Sequence, residues 1–275
     1  MANRQLSQLG FSFDKNPGMS SILFEIKDSI AFITLNRPDK LNSFNREMAL
    51  LLQEKLDECQ SKEIRCVYIT GAGRAFSAGQ DLDEVVDPKG PKVTVILKEH
   101  YNPIVKKIRT LQKPVVAAVN GIAAGAGANL AFCCDIALAS SSASFVQAFS
   151  KIGLVPDTGG TYFLPRLIGW QKASALFMLN DKIPAPEAER MGMIYKAIPD
   201  DQFKEESIRI AGTLATMPTK GHALTKLALN NSLINNYEDQ LHDEEILQER
   251  AGKTQDYKEG IQAFLEKRKP IFKGE

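Results

Sequence analysis

The first half of the chain alternates short apolar runs with segments of helical periodicity. The runs ILFEIK and SIAFITL, split at Asp28, are rich in β-branched and aromatic residues and predict a hairpin. Apolar residues recur every three or four positions from Arg46 to Gln60, which predicts an amphipathic helix. A buried strand is predicted over Cys66–Thr70, and a helix over Val93–Leu111 leads to a further strand over Pro114–Asn120. This order of elements indicates an α/β fold with a mostly parallel sheet.

The second part of the chain has a different pattern. From about Gln171 onward the strand signals become sparse and helical periodicity dominates to the end of the sequence. We therefore expect a helical C-terminal region that packs on the α/β core or extends from it.

Composition narrows the functional classes. With 275 residues and 44% hydrophobic content, the chain can bury a substantial core. The 34 Lys and Arg nearly cancel the 33 Asp and Glu, which argues against nucleic acid or an anionic membrane as a partner. The four cysteines have no metal-ligand spacing, and no apolar run has the length of a signal peptide or a membrane span. We expect a soluble, cytoplasmic protein with reduced thiols.

Two small-residue loops could carry chemistry, because each follows a predicted strand. The loop Ala75–Leu82 reads AFSAGQDL, and the turn Asn120–Leu130 reads NGIAAGAGANL and opens a helix. Small residues allow close approach to a ligand, and free N–H groups at a helix start favour developing negative charge. Together they predict an oxyanion hole, although simple turn chemistry explains either loop alone. Neither loop matches a phosphate-binding or dinucleotide-binding pattern.

Several segments in the same order resemble the crotonase superfamily, also called the enoyl-CoA hydratase/isomerase family. They are ITLNRPDKLNSFN, FSAGQDL, KPVVAAVNGIAAGAGANLAFCCDIALAS and GLVPDTGGTYFLPRLIG, and the resemblance extends over nearly the whole chain. It implies a ClpP-like spiral of ββα units with a helical trimerisation region, acting on acyl-CoA thioesters. By the same resemblance, the backbone N–H groups of Ala78 and Ala126 would hold the thioester oxygen.

The resemblance also divides the chain. We expect a polar leader over residues 1–19, the crotonase α/β core over 20–210 and the C-terminal helical trimerisation region over 211–275. The implied assembly is a homo-oligomer, either a trimer or a dimer of trimers. No cofactor and no metal are expected, because coenzyme A is part of the substrate and the three histidines share no ligand spacing.

Family members that hydrate enoyl thioesters carry two glutamates, and this chain has Asn129 and Phe149 at those positions. Neither an amide nor a phenyl ring can transfer the protons that hydration requires. Asp157, in the segment GLVPDTGG, stands where isomerase-like members place a catalytic aspartate. One carboxyl group suffices for isomerisation, since it takes a proton from one carbon and returns it to another.

The residue pattern around Asp157 leaves two readings open. An aspartate before a short helix can be an N-cap, and it can also serve as the proton-transfer group. Nearby apolar side chains favour a pocket that raises the pKa of this carboxyl towards working pH. Those side chains are Phe145, Phe149, Leu154, Val155, Tyr162 and Phe163. Asn129 is a candidate for contacting substrate or positioning Asp157, and a purely structural amide is the alternative.

The family resemblance implies a coenzyme A site along two segments of the core. Its expected residues are Asp39, Lys40, Leu41, Ser77, Gln80 and Asp81. Phe264 and Lys267, at the end of the chain, would complete the site of a neighbouring subunit, with a solvated basic face as the simpler reading of Lys267.

The preferred function is an acyl-CoA isomerase. The segment Asn120–Trp170 and the chain's ending are similar to family members that convert a ring epoxide of an aromatic acyl-CoA into an oxepin and also shift Δ3 double bonds. The alternatives are a general Δ3,Δ2-enoyl-CoA isomerase, an enoyl-CoA hydratase and, in a different class, an RNA-binding relative. The predicted helix Arg46–Gln60 carries many acidic residues and few cations, which argues against an RNA track.

Overall fold

The computed structural model describes residues 20–275, so the predicted leader lies outside the described residues. The predicted hairpin is present as β1 (Ile22–Lys27) and β2 (Ile30–Leu35), which pair antiparallel. Asp28 and Ser29 both have positive φ, 50° and 61°, as a tight two-residue hairpin turn requires.

After the hairpin, three successive strand pairs each contribute one strand to each of two sheets. The remaining strands are β3 (Cys66–Gly71), β4 (Ala75–Ser77), β5 (Val115–Val119), β6 (Ile122–Ala124), β7 (Ile136–Ser140), β8 (Ser144–Val146), β9 (Ile183–Pro184) and β10 (Lys196–Ile198). The larger sheet has the order β1-β2-β3-β5-β7-β10, and the smaller has the order β4-β6-β8-β9. Pairing from β2 to β10 in the larger sheet is parallel. The expected spiral of ββα units is therefore confirmed.

Helices fill the space between and around the sheets. They are α1 (Arg46–Glu58), α2 (Leu82–Val86), α3 (Val93–Val95), α4 (Asn102–Thr110), α5 (Ala126–Cys133), α6 (Gly160–Ile168), α7 (Trp170–Leu179), α8 (Ala185–Met191), α9 (Phe203–Thr216), α10 (Thr219–Asn231), α11 (Tyr237–Gly252) and α12 (Gln255–Leu265). The segment Ile96–Tyr101 joins α3 to α4 in π-helical geometry, and 3-10 turns occur at Pro38–Lys40 and Phe149–Ile152. Asn45 caps α1, since its side-chain oxygen accepts the N–H of Met48 at 3.0 Å.

The core has two parts, one on each face of the larger sheet. The main part packs α1, α4, α5 and the smaller sheet against one face. The second part packs α9 on the opposite face, where Ala211 and Ala215 are buried. The boundary predicted between residues 210 and 211 thus falls inside α9, and the apolar contacts of that helix extend the core to Thr216.

The C-terminal helices α10 to α12 follow the core. The buried ammonium of Lys226 in α10 donates to Asp135 at 2.7 Å and to the Ile108 carbonyl at 2.6 Å, which fixes the helix to the core. Beyond it, several large apolar side chains of α11 and α12 are exposed. Within residues 20–275, no helix has the length and apolar character needed to cross a membrane.

Candidate active site

The loop after β4 is held along one edge by Phe44. The Phe44 N–H donates to the Gly79 carbonyl at 2.7 Å, and the Asp81 N–H donates to the Phe44 carbonyl at 2.8 Å. In such a parallel bridge, the N–H of the residue between those two partners points to the opposite edge. That residue is Gln80, and its N–H has no hydrogen-bond partner among the residues the structure describes.

Ala78, which the family resemblance offered as an oxyanion donor, is placed differently. Its N–H donates to the Leu41 carbonyl at 2.9 Å, so this donor is already engaged. Gly79, with φ +87°, interrupts the extended repeat between Ala78 and Gln80. The pairing with Phe44 then leaves the Gln80 N–H on the opposite edge. The structure therefore replaces the Ala78 N–H with that of Gln80 as the available donor of this loop.

The second loop lies directly against the first. Gly79 has φ +87°, and a Cβ added there would be 2.9 Å from the Ala124 carbonyl oxygen and 3.4 Å from the Ala126 nitrogen. Only glycine fits so close an approach. Ala126 is the first residue of α5, and its N–H has no acceptor within the described part of the chain. The two loops thus place the free N–H of Gln80 and the free N–H of Ala126 on neighbouring segments. An oxyanion hole requires two such donors close together.

The loop that carries Asp157 is shaped by three residues that follow it. Thr158 and Gly159 have φ of +53° and +75°, and α6 begins at Gly160. A Cβ on Gly160 would overlap the amide of Asn129, so a glycine is needed there for the loop to sit against α5. The N-cap position of α6 is Gly159, and no side chain of the described chain caps this helix. The cap reading of Asp157 therefore has no support in the structure.

The carboxyl group of Asp157 is partly buried and has one hydrogen-bond partner within residues 20–275. The Thr158 hydroxyl donates to its Oδ1 at 2.7 Å. Burial raises the pKa of the Asp157 carboxyl above its ordinary value, and the Thr158 hydrogen bond partly opposes this by favouring the ionised form. A carboxyl group with a raised pKa and no cation beside it is suited to accept and return a proton.

Asn129 is completely buried and contacts the Asp157 backbone, as expected of a positioning amide. Its Nδ2 donates to the Asp157 carbonyl at 2.9 Å, and its Oδ1 accepts from the Gln147 side chain at 3.2 Å. Because Asn129 lies in α5 close behind Ala126, this bond links the Asp157 loop to the helix that begins with the free Ala126 N–H.

The apolar surroundings of Asp157 are only partly those predicted. Phe145 and Phe149 are buried, and the Phe149 ring lies 3.7 Å from the position of a Cβ on Gly125, just before α5. Val155, in contrast, is 77% exposed, and Leu154 is also exposed. Both lie in the stretch 154–157, which forms no regular element.

Sequence reasoning missed Tyr101. Tyr101, at the end of the π-helical segment, is buried, and its hydroxyl donates to Oε1 of Gln80 at 3.0 Å. Burial first, and then the nearby Asp157 carboxylate, raise the pKa of the Tyr101 hydroxyl well above its ordinary value. Tyr101 is thus bonded to one site loop and near the carboxyl of another, yet no local pattern marks it, since it is one apolar position in a helical repeat.

The expected coenzyme A residues of the core lie together around the first loop. Lys40 forms an exposed ion pair with Asp83 at 2.7 Å, beside the exposed Asp39. Asp81 is buried and pairs with Arg37 at 2.8 Å.

Leu41 and Ser77 lie beneath this surface. The Ser77 side chain is completely buried, and its hydroxyl donates to the Asn42 carbonyl at 2.9 Å, so it serves the loop rather than a ligand. Leu41 has a left-handed backbone, with φ 51°, and its carbonyl accepts the Ala78 N–H.

Phe264 and Lys267 lie at the other end of the chain. Phe264 is 84% exposed near the end of α12, and Lys267 follows that helix with φ +55°. Within one chain α12 packs on α11, and neither residue joins the loops of the site.

Among residues 20–275 no group of His, Cys, Asp and Glu side chains is arranged to hold a metal ion. His100 is buried, and His222 and His242 lie on the C-terminal helices α10 and α11.

The fold and the paired loops define a class of protein. The sequence model of the family described as Enoyl-CoA hydratase/isomerase matches residues 25–275. The chain belongs to this family, the crotonase superfamily, and the resemblance noted from its sequence segments is confirmed.

Individual relatives are similar over almost their entire length. The 1,2-epoxyphenylacetyl-CoA isomerase of Escherichia coli is 46% identical over 260 residues, covering 93% of this chain and 99% of the relative. The trans-2-decenoyl-[acyl-carrier-protein] isomerase of Streptococcus mutans is 32% identical, covering 92% and 98%. The crystal structure of an enoyl-CoA hydratase from Bacillus anthracis superposes with a TM-score of 0.89 at 33% identity, covering 93% and 100%.

Proposed function

We propose that this enzyme is an acyl-CoA isomerase that uses Asp157 as its single proton-transfer group. The observation that carries the proposal is the state of the Asp157 carboxyl, which is partly buried, has a raised pKa and has no cationic partner in the described chain. The two positions where hydratases of the family carry glutamate hold Asn129 and Phe149, both buried.

The chemistry needs no further reactant. The ionised Asp157 removes a proton from the carbon beside the thioester carbonyl, and the resulting enolate oxygen accepts the N–H groups of Gln80 and Ala126. The carboxylic acid then returns the proton to the carbon two positions further along, which moves the double bond. Because the proton removed is the proton returned, the step consumes no other reactant, and we expect no cofactor beyond the coenzyme A of the substrate.

The particular substrate we propose is 2-(1,2-epoxy-1,2-dihydrophenyl)acetyl-CoA, rearranged to its oxepin isomer. Support comes from the 46% identity to the E. coli 1,2-epoxyphenylacetyl-CoA isomerase. This rearrangement also conserves all atoms, and the thioester acts as the electron sink while the oxyanion donors hold its oxygen. We expect the enzyme to shift Δ3 double bonds as well, because both reactions use the same donors and the same carboxyl.

An assay of the purified protein with three thioesters tests the proposal. Epoxyphenylacetyl-CoA and a 3-enoyl-CoA should both be turned over, whereas hydration of a 2-enoyl-CoA should be slow because a second carboxyl is missing. Turnover of the 3-enoyl-CoA alone would assign a general Δ3,Δ2-enoyl-CoA isomerase. Hydration as fast as isomerisation would contradict the single-carboxyl mechanism.

We also propose that the enzyme works as a homo-oligomer, a trimer or a dimer of trimers. Large apolar side chains are exposed on the isolated chain along α6, α7 and α12, which favours a further apolar contact. They include Leu167, Trp170, Met178, Leu179, Phe264 and Leu265. In this assembly, Phe264 and Lys267 would complete the coenzyme A site of a neighbouring subunit. Light scattering during size-exclusion chromatography measures the assembly, and a monomer at micromolar concentration would contradict it.

A further inference from the structure

The side chain of Gln80 is held at both ends. Its Oε1 accepts the Tyr101 hydroxyl at 3.0 Å, and its Nε2 donates to Oε2 of Glu84 at 2.8 Å. The other oxygen of Glu84 accepts the backbone N–H of Arg46, the first residue of α1, at 2.8 Å. The amide of Gln80 is thus tied to the π-helical segment on one side and, through Glu84, to the start of α1 on the other.

The hydroxyl of Tyr101 is not explained by packing. The ring is 2% exposed and makes an edge contact with Phe44, with ring centroids 5.8 Å apart. A phenylalanine would make the same contact without the cost of burying a hydroxyl. The hydroxyl has one hydrogen-bond partner among the described residues, and that partner is the Gln80 side chain.

The peptide that this arrangement restrains is the one that carries the free N–H. It joins Gly79, which has φ +87° and no side chain to limit its torsions, to Gln80. Phe44 holds the carbonyl side of this peptide at 2.7 Å. The Asp81 N–H, bonded to the Phe44 carbonyl at 2.8 Å, holds the next peptide. The Gln80 side chain adds a further restraint, because hydrogen bonds at both ends of its amide limit rotation about the Gln80 backbone. A hydrogen bond weakens steeply as its angle falls, so small rotations of this N–H matter.

From this geometry we infer that Tyr101 and Glu84 are positioning residues, which act through the Gln80 side chain to keep the Gln80 N–H aimed at the developing oxyanion. The inference rests on the proposed function, since it assigns a purpose to two groups behind one of the proposed donors. Neither residue contacts the reacting atoms in this account. Their effect is on the transition state, where the oxygen carries charge, and not on binding of the ground state.

The first test compares two tyrosines that each lose a buried hydroxyl. Tyr101→Phe should lower kcat by roughly 3- to 10-fold, the value of one neutral hydrogen bond, and should leave KM within about 2-fold. Tyr68→Phe is the matched control, because Tyr68 is buried and its hydroxyl bonds Ser207 at 2.9 Å on the opposite face of the larger sheet. That control should keep kcat within about 2-fold. Equal kcat values for the two variants would overturn the inference.

The second test is a double-mutant cycle with Gln80→Met, which keeps the backbone N–H and removes the side-chain amide. If Tyr101 acts through that amide, Tyr101→Phe should lower kcat by less than about 2-fold in the Gln80→Met background. An undiminished effect of Tyr101→Phe in that background would show that it acts by another route, and the inference would be wrong.

Asp157→Asn separates this inference from the proposed function. One outcome is that Asp157→Asn is inactive while the Tyr101→Phe and Gln80→Met effects on kcat are additive. That pair of results would contradict only the positioning role of Tyr101 and Glu84. Full turnover in Asp157→Asn would remove the single-carboxyl mechanism, whatever the cycle shows.

Discussion

Two aspartates of this chain, Asp157 and Asp135, are both partly buried and have opposite surroundings. The Asp135 carboxylate is 18% exposed and pairs with Arg109 at 3.1 Å and Lys226 at 2.7 Å. It also accepts the N–H of Val115 at 2.8 Å. Within residues 20–275, Asp157 has no such cation, and its carboxylate accepts one hydroxyl hydrogen bond, from Thr158.

The difference supports a structural role for Asp135 and the proton-transfer role that we propose for Asp157. Asp135 joins α4, β5 and α10 through fixed charge pairs, and a proton would break those bonds. Asp157 is destabilised as an anion by burial, so protonation costs little and can be reversed during a reaction.

Asp157→Asn should lower kcat by about 10²- to 10⁴-fold, because the amide cannot accept the substrate proton. The free energy of unfolding should not fall. Burial raises the pKa of Asp157 in the folded state, so Asp157 contributes to stability at low pH, where its carboxyl is protonated. This contribution is lost as the pH rises through the folded-state pKa. At neutral pH the variant should therefore be at least as stable as the wild type in urea unfolding. A variant that is inactive only because it is unfolded would not support the role.

Asp135→Asn should lower the stability of the fold and leave turnover nearly unchanged. Removing the shared partner of Lys226 and Arg109 leaves buried positive charge uncompensated, which costs about 3–5 kcal/mol of unfolding free energy. Turnover per folded molecule should stay within about 2-fold of the wild type, measured below the unfolding transition. A loss of kcat in fully folded protein would show that Asp135 also affects the reaction, against the contrast drawn between the two aspartates.

Asn129→Ala should lower kcat by roughly 10-fold, equal to about 1.4 kcal/mol, because the Asp157 carbonyl loses the amide that holds its loop against α5. Gln147→Ala is a suitable control. Gln147 bonds the same asparagine at 3.2 Å without touching Asp157, so its effect on kcat should be smaller. Equal losses in the two variants would point to general loosening of this region.

Thr158→Val should produce the smallest change, visible in the pH profile. The Thr158 hydroxyl favours the ionised carboxylate, so its removal raises the pKa of Asp157 further. The acidic limb of kcat/KM, which rises as Asp157 ionises, should then move to higher pH. Thr158→Ser keeps the hydroxyl and should leave the limb in place. A shift to lower pH would contradict the assigned hydrogen bond.

The sequence predicted the fold well where the evidence was local. The hairpin, α1 and the strand β3 follow directly from runs and periodicities within a few residues. The short strand β10 was missed, because three residues beginning with Lys196 show no alternation and pair only at the edge beside β7. The helical segment after Val93 was expected, yet its π-helical stretch has no signature in residue type.

The site was predictable only in outline. Family segments pointed to the two loops and to Asp157, but the choice between the Ala78 and Gln80 N–H groups depends on which edge of the loop Phe44 occupies. That contact is distant in sequence, so no reading of AFSAGQDL alone supplies it. Tyr101 was missed for the same reason.

A label-transfer experiment tests the central claim most directly. The wild-type enzyme is given a 3-enoyl-CoA with deuterium at C2 in ordinary water, and the earliest product is analysed by mass spectrometry and NMR. If one carboxyl group removes and returns the same hydrogen, a fraction of the first product molecules will carry deuterium at C4. Asp157→Asn should form no such product, and deuterium transferred to C4 by that variant would show that another group carries the hydrogen, against the role given to Asp157.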